Sequence, residues 1–297
     1  MRLTLLGTGT PAPSARRAAS GYVVEAAGET FVFDHGPGAH ARMLQSGIPV
    51  TAVTRLFVSH FHYDHFADAA SLVLRRWDQG GGKLSELAIY GPPPAKRIFA
   101  LMFGPGGVFE ADLDARTKNA ASVALYHARG GIGIRARPAP IVMELNPGDI
   151  IREDRWAIRT VQTPHTQPQL VSLAFRLDCN EGSLVYSGDT GPCEALVEIA
   201  RGADVLIHMC HYISGTEFNE AMTWGCAGHK LAAEHAQKAG VGTLVLTHLT
   251  DQVAADGNHE RVLQDIGRIY NGRVIWGEDL KQIEVSDLKS RKIESPL

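Results

Sequence analysis

The sequence lacks the features that mark membrane and secreted proteins. No apolar run reaches the roughly 18–20 residues that a membrane-spanning helix needs. The four cysteines show no CxxC spacing, so neither a disulfide framework nor a zinc ribbon is indicated. The first residues run straight into an apolar strand pattern rather than a signal peptide. Together these absences predict a cytoplasmic protein with reduced thiols and no membrane partner.

A strong charge of either sign is also absent. The formal net charge of −3 gives no global attraction for the phosphates of nucleic acid, so nucleic acid is not expected as a partner. The hydrophobic content of 44% is ample for a buried core. A length of 297 residues predicts one domain that spans residues 1–297.

Short apolar strand patterns alternate with helical patterns along the chain, which is typical of the α/β class. Residues 104–140 interrupt this alternation, because they are rich in Gly, Arg and Pro and only weakly periodic. We predict an irregular insertion there that acts as a lid or an oligomer contact, with a surface loop without a role as the alternative. The polar tail Asp287–Leu297 is expected to be frayed.

Metal-ligating residue types are concentrated in His60-Phe61-His62-Tyr63-Asp64-His65, directly after the apolar pattern Arg55–Ser59. Imidazole and carboxylate are ligands that zinc prefers. A strand that ends in such a loop delivers two imidazoles to one point and a carboxylate with a third imidazole to another. The spacing therefore predicts the beginning of a site for two metal ions, and such sites indicate hydrolysis.

Polar residues end other apolar strand patterns in the same way: Asp34, His165, Asp189 and His248. Taken alone, a histidine after a strand is more often hydrogen-bonded than metal-bound, and an aspartate in Ser-Gly-Asp-Thr is often a turn residue. The cluster at 60–65 changes this balance, because a metal needs further ligands. Strand carboxyl ends gather such ligands at one edge of a sheet.

In this order, these residues resemble the metallo-β-lactamase superfamily, and the match extends from Met1 to about Val285. The motifs that carry it are His-x-His-x-Asp-His at 60–65, Asp34, His165, Ser187-Gly188-Asp189-Thr190 and Thr247-His248-Leu249. The opening Leu5-Leu6-Gly7-Thr8-Gly9-Thr10-Pro11 is most similar to the ribonuclease Z-like branch. The resemblance implies an α/β fold, a four-layer αβ/βα sandwich with the metal site at one edge.

The resemblance also implies individual roles. The implied ligands are His60, His62 and His165 for one zinc ion, Asp64, His65 and His248 for the other, and Asp189 as the bridge. Asp34 would hold a ligand imidazole in place. The same donors suit Zn²⁺ best, although Mn²⁺ or Fe also accept them.

Catalysis would then use a hydroxide that bridges the two metals, oriented by Asp64. His229 is the candidate proton donor, because the branch has a catalytic histidine in a similar place ahead of an Ala-rich helix. A capping or surface role is the alternative for that residue. His211 is predicted to face the pocket and is a further candidate catalytic residue. Three other histidines are predicted to lie on helix surfaces: His40, His235 and His259.

Three features favour a small-molecule substrate over tRNA. The interval between His165 and Asp189 has no room for the tRNA-clamping arm of bacterial ribonuclease Z, the chain is mildly acidic, and Met209 stands where an acid is expected. The leading hypothesis is a dinuclear metal hydrolase of an ester, phosphodiester, lactone or activated aryl halide. The alternatives are a ribonuclease Z-type tRNA 3′-processing endonuclease and a metal-retaining binding protein without activity. Analogy with the branch suggests a homodimer.

Overall fold

Two seven-stranded sheets face each other in the computed structural model, which describes residues 1–290. The strands are β1 (Arg2–Gly7), β2 (Gly21–Ala26), β3 (Glu29–His35), β4 (Arg55–Phe57), β5 (Ala88–Gly91), β6 (Ile141–Glu144), β7 (Ile150–Arg152), β8 (Trp156–Gln162), β9 (Leu173–Cys179), β10 (Gly182–Tyr186), β11 (Val205–Met209), β12 (Thr243–Thr247), β13 (Arg273–Trp276) and β14 (Gln282–Glu284). The helices are α1 (Ala39–Gln45), α2 (Tyr63–Phe66), α3 (Ala69–Gly80), α4 (Ala95–Phe103), α5 (Glu110–Lys118), α6 (Ala120–Ala128), α7 (Glu194–Ala200), α8 (Glu220–Gly225), α9 (His229–Ala239), α10 (Asn258–Gly267) and α11 (Val285–Ser290), with a 3₁₀ turn at Val50–Ala52.

Each sheet is half antiparallel and half parallel. The first has the order β14-β1-β2-β3-β4-β5-β6, and its strands from β3 to β6 are parallel neighbours. The second has the order β13-β12-β11-β10-β9-β8-β7, and its strands from β10 to β13 are parallel neighbours. Parallel neighbours end at a common edge of the sheet, which is where side chains from distant parts of the sequence meet.

The core lies in three apolar layers. In β3, Phe31 and Phe33 pack between the sheets, whereas Val32 packs under the helices on the outer side. This follows from the two-residue period of a strand, and it explains why the strands are almost continuously apolar. Helices α1, α3 and α4 cover the first sheet, and α7, α9 and α10 cover the second. The predicted four-layer αβ/βα sandwich is therefore confirmed.

The segment 104–140 differs from the prediction of an irregular insertion, because it contains α5 and α6. The Asn119 side chain caps α6 by accepting hydrogen bonds from Ala121 N and Ser122 N. Arg135 pairs with Asp78 at the end of α3, and its guanidinium lies 4.6 Å from the ring centre of Trp77. The insertion is thus anchored on α3 by charge and by an aromatic face.

Two of the histidines predicted on helix surfaces are buried instead. His40 is 5% exposed and its Nδ1 lies 3.4 Å from His35 Nε2, while His235 is 4% exposed and its Nδ1 lies 2.9 Å from His208 Nε2. The prediction holds for His259, whose side chain is 44% exposed. A histidine on a helix is buried when its side of the helix packs on the sheet. The spacing of residues along the helix does not show which residue it will contact.

Other expectations have simpler outcomes. All four cysteines are free thiols. Within residues 1–290, the helices are all too short or too polar to cross a bilayer. The tail expected to be frayed begins instead with α11, and its residues 291–297 lie outside the described part of the chain.

Candidate metal centre

The predicted ligands converge at the edge of the sandwich in two adjacent groups. His60, His62, His165 and Asp189 form the first group, and Asp64, His65 and His248 form the second. Within each group, one potential ligand atom per residue lies within 4.8 Å of the others. Helix α2 begins directly after His62, so a single loop and its first helical turn supply ligands to both groups.

Asp189 lies between the two groups. Its Oδ2 is 3.5 Å from His165 Nε2 and 3.4 Å from His248 Nε2, and its Oδ1 is 3.5 Å from His65 Nε2. The carboxylate can therefore reach toward both groups at once, as the predicted bridging role requires. That role itself stays a prediction.

The ends of two strands fix the remaining ligands by unusual backbone geometry. Gly188 has a φ of +56°, and a Cβ there would lie 2.8 Å from Leu173 O, so only glycine lets β10 turn directly into Asp189. His248 also has a positive φ of 55° at the end of β12. A non-glycine residue in the left-handed region costs free energy of about 1–3 kcal/mol and is typical of functional sites.

Asp34 connects the first sheet to the second group of ligands. Its carboxylate accepts hydrogen bonds from Ser59 N at 2.7 Å, His65 Nδ1 at 2.7 Å and Tyr186 Oη at 2.6 Å. The His65 ring is thereby oriented with Nε2 toward Asp64 and Asp189. This is the supporting contact predicted for Asp34, although its effect on metal binding stays a prediction.

The carbonyl oxygen of Gly225 orients the ligand ring of the first group. It accepts a hydrogen bond from His165 Nδ1 at 2.6 Å, which leaves Nε2 directed at His62 Nδ1, 3.1 Å away. Sequence reasoning missed this contact and that of Tyr186. A backbone carbonyl carries no sequence signal, and Tyr186 is one apolar-strand residue among several.

The two carboxylates are ionised at neutral pH. Burial raises the pKa of Asp189, but the nearby His248 and His65 outweigh it and hold this pKa well below the usual range. Burial likewise raises the pKa of Asp64, and its contacts with His248 and His65 again outweigh it. Ionised carboxylates beside imidazoles are a donor set that attracts a divalent cation.

Unpaired polar atoms provide a test of whether these residues fit a metal. Among the described residues, the buried atoms without a hydrogen-bond partner include Asp64 Oδ1 and Oδ2, His65 Nε2, Asp189 Oδ1 and His248 Nε2. Leaving a buried polar group unpaired costs about 1–3 kcal/mol. Other such atoms are scattered over the fold, but these five lie together in the two groups, as cation ligands would, so the residues fit divalent metal ions.

Comparison with known proteins agrees with this geometry. The family model described as the metallo-beta-lactamase superfamily matches residues 15–248. The chain belongs to the metallo-beta-lactamase superfamily. Within the superfamily it lies in the ribonuclease Z-like branch, and it is a metal-dependent hydrolase.

Relatives and solved structures of this superfamily match the chain almost from end to end. A ribonuclease Z of Mycobacterium avium (strain 104) is 33% identical, over 96% of this chain and 98% of that protein. Human tRNase Z, short form, has a TM-score of 0.69 at 21% identity, over 96% of this chain and 99% of that one. The metallo-beta-lactamase fold protein YhfI from Bacillus subtilis has a TM-score of 0.71 at 20% identity, over 95% and 98%.

The preference for a small-molecule substrate, and the expectation that nucleic acid is an unlikely partner, are wrong. Proteins named ribonuclease Z match this superfamily member along nearly their whole length at 31–33% identity, which outweighs the arguments from the short interval after His165 and from the mild acidity. A net charge summed over the chain says nothing of the surface beside the site. Met209 is buried, and its sulfur accepts the Thr190 N–H at 2.9 Å, so its side chain binds the backbone next to Asp189.

The two catalytic histidines predicted outside the ligand groups have different positions. His211 lies in the site, with its Nδ1 3.2 Å from His248 Nδ1, and burial lowers its pKa to about 4. His229 is buried at the start of α9, where its Nδ1 accepts the Ser214 N–H and its Nε2 lies 3.3 Å from Asp265. The contacts of the His229 ring are thus with a loop and with α10, rather than with the two groups.

Proposed function

We propose that this protein is a ribonuclease Z-type endonuclease that processes the 3′ side of precursor tRNA with two divalent metal ions. The observation that carries the proposal is a pair of ligand groups joined by Asp189, on a chain that matches ribonuclease Z over 96% of its length. A phosphodiester is a substrate that suits such a pair, because the attacking and leaving oxygens both need stabilisation.

The proposed ions are zinc. One would be held by His60, His62 and His165 and the other by Asp64, His65 and His248, with Asp189 between them. Three imidazoles in the first group and two imidazoles with a carboxylate in the second suit Zn²⁺, and Mn²⁺ or Fe²⁺ would accept the same donors. When bound, divalent ions supply Lewis acidity and lower the pKa of water toward neutrality.

His211 is proposed to donate a hydrogen bond to the leaving oxygen. If His248 Nε2 faces a cation, the proton of that ring is on Nδ1, which then donates to His211 Nδ1 at 3.2 Å. The His211 proton is therefore on Nε2. Its low pKa of about 4, caused first by burial, keeps the ring neutral at pH 7. A neutral N–H donates a hydrogen bond to the oxygen on which negative charge develops.

Cleavage of precursor tRNA tests the proposal. We expect the zinc-loaded protein to cut a labelled precursor once at its 3′ side and to lose this activity on chelation. The variant His60→Ala/His248→Ala, with one ligand removed from each group, should be inactive and should retain less than two metals per chain by elemental analysis. Intact precursor after incubation with fully metal-loaded wild type would contradict the proposed substrate.

We also propose that the protein forms a homodimer through the insertion. Helix α6 has no charged side chain, yet it is largely exposed, and Leu125, Val108 and Ile134 are 49%, 78% and 94% exposed. Large apolar side chains left exposed within one segment make that segment a candidate for an association surface. Light scattering should give the mass of a dimer, and Leu125→Asp/Ile134→Asp should give a monomer. Ile150→Asp, at a 49% exposed position outside the insertion, is the control. A monomeric wild type contradicts the proposal.

A further inference from the structure

Two exposed aromatic rings flank the ligand groups and have no part in the chemistry described so far. Tyr63 is 57% exposed and Trp224 is 49% exposed. A single exposed aromatic residue needs no explanation, because folded surfaces contain many apolar atoms. The position of these two rings does call for one, since each belongs to a segment that also orients a ligand.

A short chain of contacts connects the two residues through the first ligand group. Tyr63 follows His62, whose Nδ1 lies 3.1 Å from His165 Nε2. On its other side, the His165 ring donates from Nδ1 to the carbonyl of Gly225, the residue after Trp224. Tyr63 and Trp224 are therefore attached on opposite sides of the same pair of ligand imidazoles.

Both segments are held in place by their backbone surroundings. The Tyr63 hydroxyl donates to Pro11 O at 2.8 Å, which fixes the ring against the loop after β1. The backbone of Trp224 packs closely on Gly191. A Cβ added to Gly191 would lie 1.9 Å from Trp224 O. Gly191 is itself two residues after Asp189. The rings thus project from rigid supports rather than from free loops.

We propose that Tyr63 and Trp224 are stacking platforms for unpaired nucleobases on the two sides of the scissile phosphate. The inference rests on the proposed function, in that the occupant is RNA. A planar ring stacks on any base, so two such rings would hold unpaired nucleotides whatever their sequence. Phe218, just before the N-cap of α8, is a further exposed aromatic residue of the same segment, at 89%.

Binding of a short, unstructured oligoribonucleotide tests the proposal without relying on turnover. The labelled oligonucleotide is titrated by fluorescence anisotropy in the presence of chelator, so that cleavage does not interfere. Trp224→Leu and Tyr63→Leu keep apolar bulk but lose the planar face, and each should raise the Kd roughly tenfold or more. Trp224→Phe and Tyr63→Phe keep a face and should bind within about threefold of wild type. Ile150→Ala, at a 49% exposed apolar position in β7, should bind like wild type.

The folded state and the metal centre are controlled separately. The leucine variants should melt at the wild-type temperature and bind the wild-type amount of zinc, and on precursor tRNA they should show a raised KM with little change in kcat. Wild-type Kd values for both leucine variants, or equal losses for the leucine and phenylalanine variants, would overturn the stacking proposal. If wild type binds the oligonucleotide through Trp224 but leaves precursor tRNA intact, the proposed reaction fails while the stacking surface stands.

Discussion

At the scale of single residues, Asp34 connects three parts of the chain around the candidate metal centre. It has a φ of 54° and accepts hydrogen bonds from Ser59 just after β4, from the His65 imidazole and from the Tyr186 hydroxyl. We expect Asp34→Asn to lower zinc affinity about 10–100-fold, because an amide replaces one acceptor oxygen by a donor. Competition with a chromogenic chelator measures this. Tyr186→Phe removes only one of the contacts and should cost less. Equal affinities for Asp34→Asn and wild type would refute the supporting role.

The roles of His211 and His229 can be distinguished by how strongly kcat depends on the leaving group when each residue is replaced. His211→Ala should lower kcat about 100-fold on a phosphodiester with a poor leaving group and much less on one with a good leaving group. His229→Ala should lower the free energy of unfolding, since its ring bonds to Ser214 and Asp265, and leave the leaving-group dependence as in wild type. The paired substrates are compared at saturating concentration. The reverse pattern would assign the donor role to His229, as its place before α9 first suggested.

Prediction of single residues from the sequence succeeded where a polar residue interrupts an apolar strand pattern. Each ligand outside the cluster is a polar residue that ends an apolar strand, and those positions do converge. It could not find Tyr186, which lies within an apolar strand, or the Gly225 carbonyl, which is backbone. It also placed His235 on a surface, because the side of a helix that packs on a sheet is set by the fold and not by one residue.

At the scale of elements, the approach of α2 to the end of β3 depends on a glycine. A Cβ on Gly36 would lie 1.9 Å from Asp64 O. Gly36→Ala should therefore displace the backbone of a ligand and reduce bound metal to one ion or fewer per chain. Gly267→Ala is the matched control, because a Cβ there meets nothing within 4 Å, and it should raise helix stability by about 0.5–1 kcal/mol. Elemental analysis and thermal melting separate the two effects. Full metal content in Gly36→Ala would show that the loop relaxes without cost.

The elements that the sequence predicted well are those with one buried face. Strands such as β4 and β12 are short apolar runs closed by polar residues. β4 lies within the apolar pattern Arg55–Ser59, and β12 ends directly before His248, as expected. Helix α6 was missed because its apolar residues are spread over all sides and only Tyr126 is buried. A helix without a polar face has no periodic signal, so composition alone made the segment look irregular.

At the scale of the whole molecule, the substrate was predicted wrongly because it was argued from totals. Net charge is a property of the whole chain and the interval a property of one segment, whereas a substrate contacts only the surface beside the ligand groups. The relatives named ribonuclease Z match 96% of the chain, so such totals carry little weight against them. The dependence of stability on pH is a property of the whole chain, since every buried titratable group contributes to the same unfolding equilibrium.

A buried histidine pair links three elements of the second sheet and its helices. Cys193 N donates to His235 Nε2 at 3.3 Å, so the His235 proton is on Nδ1 and is donated to His208 Nε2 at 2.9 Å. His208 in turn donates from Nδ1 to Met209 O at 2.8 Å. Each ring is neutral in this chain of hydrogen bonds. Adding a proton to either ring would turn an acceptor nitrogen into a donor that faces another donor.

This pair predicts that the protein loses stability in mild acid. Burial lowers the pKa of His208 to about 4, and burial together with His208 lowers the pKa of His235 to about 3, against about 6.5 in an unfolded chain. Between those values the unfolded state binds protons that the folded state does not. The stabilising effect of the neutral rings is therefore complete above about pH 6.5, and stability falls as the pH is lowered toward 4. The slope is at most about 1.4 kcal/mol per pH unit for each histidine.

Urea unfolding of chelator-treated protein at several pH values between 7.5 and 4.5 measures this slope without interference from metal release. His235→Gln is the comparison, because an amide can accept the Cys193 N–H and donate to His208 but does not titrate. Its unfolding free energy should fall less steeply with pH than that of wild type, by about one histidine's contribution. If the two proteins lose stability in parallel, the neutral pair is not what sets the acid sensitivity of the fold.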